Sequence, residues 1–183
     1  TLLVSYNVRN SAITGNITTA SRFNQDFKSD VDLKMYYYVS GASQELPLEE
    51  IGAARTLAQT LLSGTTNPDS RKAIGSVVGL CDSLTASINK IQGTDGYDKR
   101  MEQLETSVYV ITELIQEYMY TYLYHEAGQL AALQQRLNRV LWGELLAVGL
   151  TLAGLVALAT RRAIRTGKSI TDPIDALAAR VAE

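Results

Sequence analysis

The stretch IGSVVGLCDSLTASINKI, residues 74–91, has the most regular hydrophobic pattern in the chain. Its apolar residues recur three and four positions apart, at Ile74, Val77, Cys81, Leu84, Ile88 and Ile91. This spacing places all of these side chains on one face of an α-helix, whereas a half-buried strand would alternate at every second residue. The stretch therefore predicts a helix with one buried face, which ends at the GTDG turn of residues 93–96.

Three other segments repeat this helical period. The first is predicted to run from the start of the chain to about Val39, the second from Pro47 to Gly64, and the last onward from Tyr97. Candidate caps of the helix around residues 74–91 are Asn67, Asp69 and Ser70. Because short loops place consecutive helices side by side, we expect an all-α fold, an up-down antiparallel four-helix bundle with two long and two short helices.

The last of these helices changes its pattern part-way along. Its apolar residues fall first at Met101, Leu104, Val108, Ile111, Ile115, Tyr118 and Tyr122, and then at Leu130, Leu133, Leu137 and Val140. The polar residues between the two runs include His125 and Glu126. We interpret this interruption as a stutter in the heptad, where the local supercoiling changes. The prediction for His125 is a place in solvent or at a dimer seam.

Composition excludes several classes of function. With 46% hydrophobic residues the chain can form a packed core, and a net charge of −2 gives no support for nucleic-acid binding. The single cysteine, Cys81, rules out an internal disulfide, and the single histidine, His125, rules out a site with two histidine ligands. Neither a glycine-rich phosphate loop nor a catalytic cluster is recognisable. We therefore expect no metal, no cofactor and no enzymatic activity in this region.

A long apolar run, residues 141–160, follows without a helix breaker. About 20 residues of helix span roughly 30 Å, which matches a bilayer core. Glu144 is its only charge and Trp142 suits a membrane interface. The bundle is thus predicted to continue into a transmembrane helix, although a buried core helix of a larger soluble protein has the same pattern. The small residues Gly149, Ala153 and Ala157 would allow close packing of this helix.

Arginines and tyrosines supply candidate ligand contacts. Arg55 and Arg71 are candidate donors for an anionic ligand, and Arg71 lies in a first helical turn, where backbone N–H groups point outward. Tyr118 and Tyr122 share one helix face, while two further tyrosines share another. The tyrosines either pack where the bundle thins or line a ligand or dimer groove, since tyrosine suits both roles.

A basic cluster comes directly after the apolar run, at Arg161, Arg162, Arg165 and Lys168, and it predicts a cytoplasmic C-terminal side. The next stretch, SITDPIDALAARVAE at residues 169–183, resembles the start of a HAMP domain, the linker that follows the last membrane span in many bacterial receptors. Pro173, Ile174 and Leu177 match the proline, apolar residue and leucine of that family's first helix. The resemblance implies that these three residues relay the signal.

Two more stretches resemble the extracytoplasmic helical bundle of bacterial sensor histidine kinases. They are NITTASRFNQDFKSDVDLKMYYYVSG, residues 16–41, and YDKRMEQLETSVYVITELI, residues 97–115. The resemblance implies the signal-input region of such a kinase, with a sensor domain over residues 1–140 outside the cell. A transmembrane helix over residues 141–160 and the start of HAMP over residues 161–183 would follow.

The same resemblance implies further properties. The protein would be a homodimer in the bacterial plasma membrane, with a cytoplasmic C-terminus and an unknown small molecule or protein as its extracellular signal. The opening TLLVSY, residues 1–6, would be the end of a first membrane span. Two alternatives stay open. One is the ligand-binding region of a chemotaxis receptor, and the other is a structural coiled-coil membrane protein that senses nothing.

Overall fold

The computed structural model describes residues 2–181, with side chains for residues 4–166, and this part of the chain is helical with no strand. The predicted all-α class is confirmed. The elements in chain order are α1 Leu2–Val39, α2 Leu48–Gly64, α3 Pro68–Gln92, α4 Tyr97–Gln103, a π-turn Leu104–Val108, and α5 Tyr109–Val181. The chain divides into two compact units, Thr1–Leu133 and Gln134–Glu183.

Local chemistry explains where the shorter helices begin and end. After α1 the chain turns at Gly41, whose φ of +77° favours glycine, and the amide N–H of Ala42 donates to the carbonyl oxygen of Tyr37. At the start of α3 the Asn67 carboxamide oxygen accepts from the backbone N–H of Asp69 at 2.8 Å. Of the three candidate caps, the structure therefore uses Asn67.

The core of the first unit forms around α3. All six residues of its apolar stripe are buried, as predicted, with 0% of each side chain exposed. α3 packs most extensively against α2 and also contacts the π-turn. The other buried apolar side chains of this core include Phe27, Val31 and Met35 from α1, Ile51, Ala54, Ala58 and Leu61 from α2, and Leu104, Val108, Ile115, Met119 and Tyr122. Burial of these side chains is the main stabilising contribution to the unit.

The buried face of α5 matches the predicted one only in part, since Ile115 and Tyr122 are buried as expected. Thr112 and Met119 are buried, whereas Tyr118 on the predicted stripe is 37% exposed and Ile111 is only half-buried. The cause is the π-turn Leu104–Val108, which inserts an extra residue into one turn of the helix. Beyond this turn Ile115 and Tyr122 keep their predicted places in the core, and Thr112 and Met119 replace Ile111 and Tyr118 on the buried face.

The second unit is a single helical stretch, and none of its side chains up to residue 166, the last one described, is buried. Every residue from 138 to 166 is exposed, including Trp142 and Leu150. The continuous helical segment Tyr97–Thr166 is long and apolar enough to cross a membrane, with a mean hydropathy of 1.9 over its most apolar part. The predicted relay residues Pro173, Ile174 and Leu177 lie outside the residues whose side chains the structure describes.

The chemistry of Cys81 provides a test of the core. Burial, with a smaller effect from the charge of Asp82, raises the pKa of Cys81 to about 11. Because the reactive form is the thiolate, the native thiol should react with a maleimide only when the chain unfolds. Ser83→Cys in a Cys81→Ala background, an exposed position on the same helix, should react at once. Equal labelling rates at residues 81 and 83 in the folded chain would contradict the described core.

Candidate functional site

A carboxylate is buried inside the first unit. The side chain of Glu126 on α5 is only 1% exposed. Its Oε1 accepts hydrogen bonds from Thr65 Oγ1 at 2.5 Å and from Gln129 Nε2 at 3.3 Å. Both donors are neutral, and among the described residues no cationic side chain forms an ion pair with Glu126. Burying a charge without a counter-charge is costly, so this site is a candidate for function.

The loop between α2 and α3 positions the threonine that contacts Glu126. The Thr65 backbone N–H donates to the carbonyl oxygen of Leu61, and its side chain is turned inward with 3% exposure. Arg71 donates to the carbonyl oxygens of Leu62 at 3.0 Å and Thr65 at 3.3 Å. The guanidinium predicted to bind a ligand is thus bonded to the backbone of this loop.

Tyr122 lies one helical turn before Glu126 and is fully buried. Burial and, to a lesser extent, the negative charge of Glu126 raise the pKa of Tyr122, while the Asn16 side chain acts in the opposite direction. These effects place the hydroxyl near both side chains. No described group forms a hydrogen bond of standard geometry with this hydroxyl. Tyr122, which was predicted as a ligand contact, therefore lies next to the carboxylate, and its hydroxyl is free to form a hydrogen bond.

A cavity of about 250 Å³ lies beside this cluster, and we name it the Glu126 cavity. Its polar lining comprises Arg9, Asn16, Thr65, Thr66, Glu126 and Gln129. Its volume corresponds to roughly eight water molecules, at about 30 Å³ each. Arg9 on α1 forms no ion pair with any described acid, although it lines the same cavity as the buried carboxylate.

The other predicted ligand residues lie elsewhere. Arg55 donates to Asp82 at 2.7 Å, in an exposed pair between α2 and α3. Tyr118 is partly exposed on α5. Arg55, Arg71, Tyr118 and Tyr122 do not line the Glu126 cavity or the groove described next. The structure therefore does not bring these four residues together in one site.

A larger, open groove of about 960 Å³ runs between α1 and α2. Phe23 and Phe27 form its apolar part, with ring centroids 4.7 Å apart. Glu50 at one end bonds to Lys34, which lowers the pKa of Glu50. Most of the lining residues are exposed, so this groove is a surface feature rather than an enclosed site.

Among the described residues no group of acidic, cysteine or histidine side chains is arranged to hold a metal ion.

The outward tyrosines of α5 form a separate feature. Tyr120 is 59% exposed and Tyr124 is 77% exposed, and the Tyr124 ring meets His125 edge-on with a centroid separation of 5.6 Å. The sequence allowed one pair of tyrosines to point inward and the other outward. On α5 only Tyr122 is fully buried, and the second pair is exposed.

Comparisons of this chain with models of known families, with characterised proteins and with solved structures give no match. The resemblance to bacterial receptors therefore remains a hypothesis that depends on the quoted motifs. Sequence reasoning missed Glu126 because it assigned that residue to a polar interruption. A signal was available, since Glu126 follows Met119 by seven residues and Tyr122 by four, which continues the buried stripe.

The Thr65–Glu126 hydrogen bond can be tested by removing its donor. Thr65→Val keeps the side-chain shape but leaves the buried carboxylate with one donor fewer, so we expect the free energy of unfolding to fall by about 1–3 kcal/mol. Thr66→Val is the matched control, because Thr66 is exposed and should change stability by less than about 0.5 kcal/mol. Denaturant unfolding of the full chain in detergent, followed by circular dichroism, measures both. Equal losses in the two variants would mean that the bond contributes nothing specific.

Proposed function

We propose that the chain is the signal-input region of a bacterial membrane-bound two-component sensor histidine kinase. One observation carries the proposal most strongly. From residue 138 to residue 166 the helix is exposed on every face, and its side chains over residues 141–158 are predominantly apolar. A helix that is apolar all round is unfavourable in water, whereas a bilayer core about 30 Å thick covers it.

The proposal assigns residues 1–140 to a sensor outside the cell, residues 141–160 to a membrane span, and residues 161–183 to the start of a HAMP linker. The basic cluster supports this orientation, because positive residues next to a span remain on the cytoplasmic side. The motif around Pro173 supports the HAMP assignment. A homodimer is part of the proposal, since a receptor of this kind passes its signal through paired helices.

We also propose that the first unit is an up-down antiparallel bundle. The contacts between α1 and α5 support this arrangement, because residues later in α5 contact residues earlier in α1. Thr112 Oγ1 donates to Asp32 Oδ1 at 2.8 Å, and Gln116 Nε2 donates to the carbonyl oxygen of Asn24 at 3.4 Å. The proximity of Asn16 to Tyr122 continues the series.

Signal transmission requires an element with two states of similar free energy. The π-turn offers such an element, because the sequence has two overlapping stripes beyond it. One stripe uses Ile111 and Tyr118, as an uninterrupted α-helix would, and the other uses Thr112 and Met119, which are buried. Converting the π-turn into regular α-helix, with all of its residues kept, would rotate the rest of the helix by about 100° and move it by about 1.5 Å.

Deleting Thr106 tests this switch, because it removes the extra residue of the π-turn. In a Cys81→Ala background, Tyr118→Cys should react with a maleimide in the parent chain and Met119→Cys should be protected. After the deletion we expect the same pattern, because a regular α-turn with one residue fewer presents the later residues on the same faces as the π-turn does. Substituting Thr106→Ala, which keeps the chain length, is the control and should leave the pattern as in the parent. Loss of protection at residue 119 after the deletion would show that the π-turn does not set the register of α5, and would remove the π-turn from the relay.

Membrane topology is the direct test of the proposed function. In the same Cys81→Ala background, Ser63→Cys should be labelled by a membrane-impermeant maleimide added outside intact cells, because Ser63 is exposed on α2. Ser169→Cys, beyond the basic cluster, should be labelled only after the cells are permeabilised. Labelling of both positions in intact cells, or recovery of the chain in the soluble fraction, would overturn the proposal.

A chemotaxis receptor is the second candidate, because the same outside architecture and HAMP motif support it. The coding sequence beyond Glu183 distinguishes the two: a histidine-bearing dimerisation helix and an ATP-binding domain indicate a kinase, whereas a long helical rod indicates a chemoreceptor. A purely structural coiled-coil protein is favoured less. Such a protein has no use for a buried, unpaired carboxylate beside a cavity.

A further inference from the structure

Two opposite charges line the Glu126 cavity without being paired with each other, the buried carboxylate of Glu126 and the exposed guanidinium of Arg9. Glu126 lies on α5 and Arg9 on α1, and the two side chains line the same 250 Å³ space without an ion pair between them. We propose that this cavity binds a small α-amino acid as a zwitterion, with its ammonium on Glu126 and its carboxylate on Arg9. This inference rests on the proposed function, since it names the class of signal that the sensor detects.

The carboxylate has capacity for a cationic ligand group. Both described donors, Thr65 and Gln129, bond to Oε1 of Glu126, and no described side chain donates to Oε2. A carboxylate can accept about four hydrogen bonds, and an ammonium group supplies three donors together with the missing positive charge. Neutral donors satisfy the hydrogen bonds of a buried carboxylate but do not compensate its charge.

Two further polar groups lie close to the same position. The Tyr122 hydroxyl is buried without a hydrogen-bond partner, and the Asn16 side chain, which lies near this hydroxyl, lines the cavity. A buried hydroxyl without a partner is uncommon in native structures. Asn16 and Glu126 line the same cavity, so the Asn16 amide is a further polar group available to a ligand there.

Arg9 selects the other end of the ligand. A guanidinium group binds a carboxylate through two parallel hydrogen bonds, and Arg9 has no competing acidic partner among the described residues. A simple carboxylic acid would be repelled by Glu126, and a simple amine would be repelled by Arg9. An α-amino acid carries an ammonium group and a carboxylate group on the same carbon atom, so it is attracted by both side chains.

The volume of the cavity limits the side chain of the ligand. Pockets for drug-sized ligands occupy about 300–1,000 Å³, so a cavity of 250 Å³ suits a smaller molecule. The apolar part of the lining comes from Ala12, Ile13 and Gly64. This combination favours an amino acid with a short side chain, such as glycine, alanine or serine.

Binding at this position would connect three elements of the first unit. The contacts come from α1 through Arg9, from the α2–α3 loop through Thr65, and from α5 through Glu126. A ligand that joins α1 to α5 binds two registers of α5 with different affinity, because a rotation of α5 moves the carboxylate away from Arg9. Such a difference is what a signal needs to shift a conformational equilibrium.

Isothermal titration calorimetry of the full chain in detergent micelles tests the inference with L-alanine as the probe. We expect saturable binding of alanine. Propionate, ethylamine and L-lactate, which each lack one of the two charges, should bind at least about tenfold more weakly. Glu126→Gln keeps the hydrogen bond from Thr65 and removes only the charge, so it should weaken alanine binding by about ten- to a hundredfold. Arg9→Gln should have an effect of similar size.

The matched controls are Glu117→Gln and Arg22→Gln, exposed residues on the same two helices, and both should bind alanine like the parent chain. Absence of binding by glycine, alanine and serine would overturn the inference, and so would equal binding of L-lactate and L-alanine. Unchanged affinity in the Glu126→Gln variant would do the same. Failure of this inference can be distinguished from failure of the proposed function, because labelling at residues 63 and 169 reports the membrane topology whether or not an amino acid binds.

Discussion

The register of α5 is the constraint on which the first unit depends. The π-turn Leu104–Val108 decides which residues beyond it face the core, and it brings Thr112 to Asp32 and Glu126 to Thr65. If the same residues formed regular α-helix here, the α-helical period would place Ile111 and Tyr118 inward instead. One irregular turn therefore determines both the packing of the core and the presence of the buried carboxylate.

This constraint also explains how far the sequence could predict the structure. The stripe of α3 was readable because it lies on an uninterrupted helix, and every member is buried. The ends of α1 and α2, at Val39 and Gly64, also coincide with the predicted ends. The stripe of α5 was predicted only in part, with Ile115 and Tyr122 right and Ile111 and Tyr118 wrong, because hydrophobic spacing assumes a constant period and a π-turn leaves no distinct composition. Glu126 continues the stripe four residues after Tyr122, but its charge made it look like part of a polar interruption.

The candidate site was harder to predict for a different reason. Sequence alone indicates that an arginine can bind an anion, but it does not indicate which acceptor the fold places beside it. Arg71 bonds to two carbonyl oxygens of the α2–α3 loop, and Arg55 bonds to Asp82. The sequence did not indicate Arg9 as a candidate ligand contact, because this residue lies near the start of the chain, away from any motif. Only the packing of α1 beside α5 gives it a role.

Buried water offers the simplest alternative for the Glu126 cavity, and its energetics differ from those of a zwitterion. Water molecules satisfy the hydrogen bonds of Glu126 and of the Tyr122 hydroxyl, and a space of 250 Å³ holds several of them. They leave the charge of the buried carboxylate uncompensated, whereas the exposed guanidinium of Arg9 is hydrated with or without a ligand. An apolar residue at position 126 would avoid that cost, as replacements of buried charges often do. Glu126 destabilises the fold when no ligand is bound, and a bound ammonium group would remove that cost. The ligand would therefore stabilise the state that binds it, which is what a ligand-controlled equilibrium requires.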